Sequence, residues 1–526
     1  MQKQNHNMRT ERKSSIKNSA TRLILIALLV LIQTGWMIVL MSKLNTYSTA
    51  ITLIMTCIAV IIALKVFGTH VNSAQRMPWL IVITAVPFFG ICIYLLFGRS
   101  IVTKGMRRRF NGIEADILKN KLKQDEQIIK ELEQKDPGIA NQCRYISNTA
   151  KYPVYKNTDM EYYNTALESF EAQLWELSKA EKFIFMEYHA IEDAISFERL
   201  KKVLIDKAKN GVEVRIFYDD LGSIFFLNKE FIKRMRDEGI QCRVFNPLKV
   251  IVNMFMNNRD HRKITVIDGK VGFTGGYNLA DEYFNITHPY GYWKDTGVKL
   301  TGDAVKSLTA SFLTMWNAID HTDSQEAYDE YIDATDGTYN AASQECYVQP
   351  YSDNPLGHDR IGEDVYLNIL KNAKHYVYIT TPYLIITDEM ERELRLAVKR
   401  GVDVRIVTPG IPDKKMVYKI TRSYYEPLCS AGVRIYEYTP GFCHAKQWVA
   451  DDEVCVVGTI NMDFRSLYLH FENAVFTYNR ELAGKVKADM LDNFEISNEV
   501  TSDYAVDVIR PLKLGTCMLH MISPLL

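Results

Sequence analysis

Residues 261–268 read HRKITVID and residues 444–451 read HAKQWVAD, two His-x-Lys-x4-Asp stretches set 183 residues apart with almost nothing shared between the fixed letters. The surroundings repeat as well. GFTGGYN (272–278) and CVVGTIN (455–461) follow at the same offset, so Asn278 and Asn461 occupy matching places. Upstream, EKFIFMEYH (181–189) opens a β-rich run, a helical stretch follows, and NGVEVRIFYDD (210–220) returns as a strand. KHYVYITTPYL (374–384), DEMERELRLAVKR and GVDVRIVTPG (401–410) repeat that order. Strand, helix, Gly turn, strand is a βαβ unit and implies a parallel strand pair in each half. At 526 residues the chain exceeds one ordinary core. The repeat therefore predicts two α/β domains of similar plan, 141–338 and 339–526, meeting in the polar stretch DATDGTYNAAS, with motif regions 256–283 and 439–466.

Read as strands, HRKITVIDGKVGFTGG puts His261, Lys263 and Thr265 on one face and Arg262, Ile264 and Val266 on the other. Asp268-Gly269 is a strong hairpin signal, and Asp451-Asp452 stands at the same place in the second copy. An imidazole serves as nucleophile or as general acid or base near neutral pH. A lysine beside it supplies positive charge where negative charge collects. One copy is half a site; two copies facing each other hold two imidazoles and two ammonium groups, which suits a phosphodiester. One histidine attacks phosphorus in line, the other protonates the leaving oxygen, and Lys263 and Lys446 hold the non-bridging oxygens. Asn278 and Asn461 are candidates for further hydrogen bonds to those oxygens. The lysines stand where a metal otherwise would, so neither metal nor cofactor is expected. GFTGG reads as relaxed backbone next to the site rather than as a phosphate loop.

Three runs without charge, 23–42, 44–64 and 77–98, make residues 1–103 a membrane anchor. No small-residue cleavage site follows the first, which argues against a signal peptide. Lys3, Arg9, Arg12, Lys13, Lys17 and Arg22 precede the first run, and Arg99, Lys104, Arg107, Arg108 and Arg109 follow the third. Both flanks read as cytoplasmic, whereas three full spans place them on opposite sides. The third run, with Pro87 and Gly90 at its centre, is expected to be kinked or re-entrant, and the second is next in line. Residues 104–140 form a helical connector, with Ile113, Ile117, Leu118, Leu122, Ile128, Ile129 and Leu132 at helical spacing, a basic start that suits anionic headgroups, and an end at Pro137-Gly138. Nine cysteines lack any Cys-x-x-Cys, so neither zinc nor a redox pair is signalled, and Cys443 reads as a packed small residue. A net charge of zero and no long basic stretch with interleaved aromatics argue against nucleic acid as a partner.

The two motifs resemble those of the phospholipase D superfamily. Wider pieces look like its bacterial cardiolipin synthase branch: PFFGICIYLLFGR, IFYDDLGS, NNRDHRKITVIDGKVGFTGGYNLADEY, GYWKDTGVKLTGDAV, TTPYLIITDEM, TRSYYEPLCSAGVRIYEYTPGFCHAKQWVADDE and VGTINMDFRSLYLHFENAV. The resemblance implies two similar phospholipase D-like domains sharing one active site, preceded by transmembrane helices. It puts His261, Lys263, Asp268, His444, Lys446 and Asp451 in the catalytic set, while the residues alone also allow the two aspartates to be turn formers. It implies phosphatidyl transfer from one phosphatidylglycerol to another through a phosphatidyl-histidine, giving cardiolipin and glycerol, at the cell membrane with the catalytic part in the cytoplasm. A hydrolase or a transferase to another alcohol uses the same site, and an inactive membrane scaffold is the non-enzyme alternative. Lys414, Lys415 and Arg422, between the second βαβ unit and the second motif, are candidates to contact anionic headgroups.

Overall fold

The computed structural model describes residues 49–69, 71–98, 104–228, 230–247, 257–334, 339–342, 345–507 and 514–523, with isolated positions between 28 and 39. Most of the first apolar run, the basic N-terminus and part of the boundary stretch lie outside the described residues.

Two sheets of matching plan form the body of the molecule. Across the first lie Thr158–Tyr163, Gly297–Gly302, Val271–Gly275, Lys263–Ile267, Phe183–Tyr188, Glu213–Asp219 and Gln241–Phe245. Across the second lie Tyr347–Asp353, His470–Tyr478, Val454–Gly458, Gln447–Ala450, Tyr376–Thr380, Asp403–Pro409, Arg434–Tyr438 and Ser497–Glu499, the last being an addition at the edge. In each sheet the expected βαβ pair is parallel and sits beside an antiparallel motif hairpin. Phe183–Tyr188 and Tyr376–Thr380 are buried along their whole length, as strands covered on both faces must be. The crossover helices supply that cover. Ile195–Lys209 turns Phe197, Leu200 and Leu204 inward, and Asp388–Lys399, capped by Thr387, turns in Met390, Leu394 and Ala397.

The change of sheet falls between Gly302 and Tyr347, across the expected boundary. The buried helix Val305–Ile319 spans much of that interval and belongs to a core shared by both sheets. The connector joins the same core. Its helices Lys104–Asn120 and Glu126–Lys135 bury Ile113, Ile117, Leu118, Ile129 and Leu132, and Phe110 packs on Phe471 at 5.1 Å. Its basic start is bound to protein: Arg109 donates to the Ala318 carbonyl at 3.1 Å and Arg107 to that of Leu356. Pro137 does more than end the connector. It sits at the first turn of a further helix, Pro137–Thr149, where Asp136 caps the Gly138 and Ile139 amides.

In the anchor, Thr49–Phe67 is one helix, and the third run breaks at Val86 into Ser73–Ala85 and Pro87–Phe97. The two pieces fold against each other, with Trp79 edge-on to Tyr94 at 5.4 Å. Gly90 makes the fold possible, because a Cβ there would lie 2.3 Å from the Val82 carbonyl oxygen. No helix among the described residues is long and apolar enough to cross a membrane. The expected kink is present; the expected transmembrane helices are not displayed.

Candidate active site

The motif strands deliver their histidines to the junction between the sheets. In the first lobe, Arg259–Asp260 pairs in parallel with the start of His470–Tyr478 from the second, with Arg259 opposite His470. In the second, Gly441–Cys443 pairs with Tyr292–Lys294 from the first, with Phe442 opposite Trp293. The His261 amide then donates to the Phe471 carbonyl at 2.9 Å, and the His444 amide to the Lys294 carbonyl at 2.7 Å. Each imidazole is thereby set beside the carboxylate of the next residue along the partner strand. His261 Nδ1 lies 2.9 Å from both oxygens of Glu472, and His444 Nδ1 lies 2.7 Å from Asp295 Oδ2. Each histidine is thus oriented by the opposite lobe. A carboxylate on Nδ1 holds the proton there and leaves the Nε2 lone pair for the cavity.

Both imidazoles line one cavity of about 390 Å³, together with Asn278 and Asn461. Asn278 is held by the Ala190 amide and by the Tyr283 hydroxyl, to which it donates at 2.7 Å. Lys263 and Lys446 are buried behind the histidines and are not part of the cavity lining; their Nζ atoms donate to the His261 and His444 carbonyls. Burial, then the nearby charge of Lys263, drives His261 well below the ordinary imidazole range. Burial and Lys446 push His444 down to about 3. Burial lowers Lys263 to about 8 and Lys446 to about 7, against the pull of Glu472 and Asp295. Asp295 is held below its usual range by His444 and Lys446 despite its burial. Glu472 and Asp295 already balance the two ammonium groups, and their hold on Nδ1 leaves both Nε2 atoms free for a phosphodiester that enters the cavity.

Arg262, on the opposite strand face as expected, pairs with Glu187 at 2.6 Å and fixes the motif to the central strand. GFTGG has a steric role. A Cβ on Gly276 would meet Asp295 Oδ1 at 2.0 Å, and one on Gly275 the Thr296 carbonyl oxygen at 2.4 Å. His189 completes the wall, its ring 4.9 Å from that of His261 and its Nδ1 2.7 Å from the Asp260 carbonyl. His470 stands 5.5 Å from His261 on another side. Among the described residues His261, His470 and Glu472 are the one group with metal-type donor atoms mutually within 4.8 Å. Within it Glu472 already accepts from His261 and from the Thr459 hydroxyl, so the group acts as an orienting network.

The two motif aspartates stand elsewhere. Asp268, at φ 52°, accepts the backbone amides of Glu181, Lys182 and Phe183 at 2.7–2.8 Å. Asp451, at φ 54°, does the same for Lys374, His375 and Tyr376 at 2.7–2.9 Å. Seven residues of near-extended chain separate each from its histidine, roughly 20 Å. They fasten the motif hairpin to the start of the central strand; the turn-forming alternative describes where they sit, and the structure does not bring them to the imidazoles. Arg422 is also outside the cavity lining, its guanidinium paired with both Glu437 oxygens at 2.6–2.8 Å and lying over Tyr418. Lys414 does line the cavity, and Cys443 is a buried thiol pushed up to about 12 by burial.

Paired lobes that each bring the histidine of a His-x-Lys motif to a common cavity define a phospholipase D-like fold. A model of the family described as "Cardiolipin synthase, PLD-like domain" matches residues 174–316 and 366–493, and one described as "Phospholipase_D-nuclease N-terminal" matches 54–99. The chain belongs to the cardiolipin synthase family of phospholipase D-like proteins. It is 32% identical to a cardiolipin synthase of Clostridium perfringens strain SM101, over 86% of this chain and 95% of that one. It is 32% identical to a cardiolipin synthase of Geobacillus sp. strain WCH70, over 90% of this chain and 94% of that one. An uncharacterized protein of Streptococcus mutans is 39% identical over 88% and 99%. Among solved structures, phosphatidylserine synthase of Haemophilus influenzae Rd KW20 shares the fold, with a TM-score of 0.53 at 15% identity over 69% of this chain and 93% of that one.

Proposed function

We propose that the protein is a membrane-bound phosphatidyltransferase that converts two phosphatidylglycerol molecules to cardiolipin and glycerol. The observation that carries the reading is the pair of imidazoles on one cavity, each held at Nδ1 by a carboxylate of the other lobe, with a buried lysine bonded to each histidine's carbonyl. One Nε2 attacks phosphorus in line. The P–N bond forms as the P–O bond to glycerol breaks, and the second imidazole, protonated on phosphate binding, gives its proton to the departing oxygen. That imidazole then takes the proton of a second phosphatidylglycerol hydroxyl; its oxygen bonds phosphorus and the P–N bond breaks. One phosphodiester is broken and one made, so no nucleotide is needed. Lys263, Lys446, Asn278 and Asn461 hold and neutralise the non-bridging oxygens.

Access from a lipid surface supports the reading. The cavity wall includes Phe225, Val417 and Ser523, and beside it Ile411, Met416 and Met518 expose apolar side chains. Helix Leu514–Ile522 packs on both Lys415–Ser423 and the anchor helix Ser73–Ala85, so anchor and cavity share one side of the molecule. The first two apolar runs form a membrane hairpin, the third is re-entrant, and the catalytic lobes face the cytoplasm. The test is purified protein with phosphatidylglycerol vesicles, chelator present, followed by lipid separation. Cardiolipin and glycerol in equal amounts are expected. Phosphatidic acid alone identifies a hydrolase, and unchanged lipid rejects an enzymatic role.

A further inference from the structure

The internal two-fold relation places different chemistry on the two sides of the cavity. Arg259 stands two residues before His261 and pairs with His470, two residues before the orienting Glu472. The equivalent positions on the other side are Phe442, two before His444, and Trp293, two before Asp295. The next position around the rim repeats the contrast, since Arg465 and Glu282 are also 183 residues apart and both line the cavity. The His444 side is therefore an aromatic wall. Trp293, Tyr283 and Phe442 place their rings 5.2, 5.4 and 5.7 Å from that imidazole. The His261 side carries two guanidinium groups and two further imidazoles.

The donors of those guanidinium groups are incompletely used. Asp219 takes the Arg259 Nε at 2.8 Å and the Asn246 carbonyl takes Nη2 at 3.0 Å. Nη1 of Arg259 is buried without a hydrogen-bond partner among the described residues, on a residue only 1% exposed that lines the cavity. Nε of Arg465, a partly buried residue that also lines the cavity, likewise has no partner among the described residues. Arg465 is lowered by burial, partly countered by Asp463, and the charge of Arg259 adds to the lowering, as expected for two cations sharing a space. A buried guanidinium donor left open costs the desolvation of a charged group unless an acceptor fills it. Phosphate oxygens fit, because a guanidinium fork matches them in shape and charge.

We propose that Arg259 and Arg465 form a second phosphate subsite beside the His-Lys centre, which holds the phosphodiester of the acceptor lipid while its free hydroxyl reaches the phosphatidyl-histidine. This rests on the transfer reading above and extends it. The reacting phosphate occupies the lysine pair, the acceptor's own phosphate occupies the arginine pair, and an alcohol without phosphate gains nothing from the second. The subsite thereby favours a phospholipid over water or a small alcohol, since a site built to pair a group discriminates against partners that lack it.

The test is a partition measurement with Arg465→Gln, because among the described residues the Arg465 side chain bonds no other element while Arg259 fixes Asp219. Phosphatidylglycerol vesicles are supplied with ethanol at a fixed concentration, and phosphatidylethanol and cardiolipin are quantified from the same reaction. Both products arise from one intermediate, so their ratio reports the acceptor step alone. The ratio of phosphatidylethanol to cardiolipin is expected to rise about 10-fold or more in Arg465→Gln, and Arg465→Lys is expected to restore part of it. A ratio within about twofold of the parent protein, or loss of both products together, overturns the subsite. Parent protein that makes phosphatidylethanol but no cardiolipin overturns the reading of phosphatidylglycerol as acceptor instead, whatever the variants do.

Discussion

Asp295 and Glu472 act on the imidazoles at Nδ1, so their charge decides which nitrogen carries the proton. An amide in either place presents a donor or a weaker acceptor and permits the wrong tautomer. Asp295→Asn and Glu472→Gln are each expected to lose at least about 10²-fold in kcat with little change in thermal stability, read by initial rates beside melting curves. The motif aspartates are expected to behave in the opposite way. Asp268→Asn keeps an acceptor for two amides and tolerates the positive φ, but turns an NH2 toward the third amide. It is expected to cost about 1 kcal/mol of stability while kcat stays within a few-fold; a loss of activity at unchanged stability returns Asp268 to the catalytic set. The lysines set the pH behaviour. In the free protein their ammonium form is present at low pH and lost as pH rises through about 7 for Lys446 and about 8 for Lys263. On vesicle substrate kcat/KM is expected to fall across that window. In kcat the fall moves to higher pH, because bound phosphate favours the charged form.

At the level of elements, most of what positions the site was legible from local pattern. The period of two placed His261 with Lys263 and Arg262 opposite, and the Asp268-Gly269 signal gave the hairpin in which Ile267 pairs with Val271. The repeated strand-helix-strand order gave the parallel pairs. What escaped the reading is what crosses between lobes. Asp295 and Glu472 lie 149 and 211 residues from the histidines they hold, and no local period links such positions. They also break the 183-residue offset, being 177 apart, so the repeat did not flag them as equivalent. The available signal was a carboxylate two residues after the start of a short polar-aromatic stretch in each half, WKD and HFE, Asp295 lying just past its strand and Glu472 near the start of one. The glycine turn shows how tightly the elements are fitted. Gly276→Ala drives its methyl into Asp295, so the displaced His444 is expected to cost about 10²-fold in kcat while the far-ultraviolet spectrum is retained; an unchanged rate means that Asp295 moves freely and does not orient the imidazole.

For the whole molecule, the proposed transfer requires the anchor to place a cavity that takes two lipids at the bilayer surface, and the contacts restrict how it does so. Asn72, in the turn before Ser73–Ala85, donates to the Tyr468 hydroxyl at 3.2 Å, so this turn lies on the catalytic side. Helices Ser73–Ala85 and Pro87–Phe97 have 13 and 11 residues, or roughly 20 and 17 Å at 1.5 Å per residue, against a hydrocarbon core of about 30 Å. Folded on each other through Gly90 they are expected to enter and leave a bilayer on one side, which returns the chain to the face where Arg107 and Arg109 bond the lobes. With that run removed from the parity, the basic N-terminus and the arginine run share the cytoplasmic side when the first two runs form a hairpin. The loop between them then faces outward. Six of the nine cysteines are buried, so Cys57, Cys92 and Cys517 are replaced by serine and single cysteines set at Lys43 and Lys209. Lys209 marks the first lobe, with 68% of its side chain exposed. An impermeant thiol reagent applied to intact cells is expected to label the Lys43 position and to spare the Lys209 position until the membrane is opened. Labelling at Lys209 in intact cells puts the catalytic lobes outside and overturns the arrangement; protection of both positions means that the first two runs do not cross as a pair.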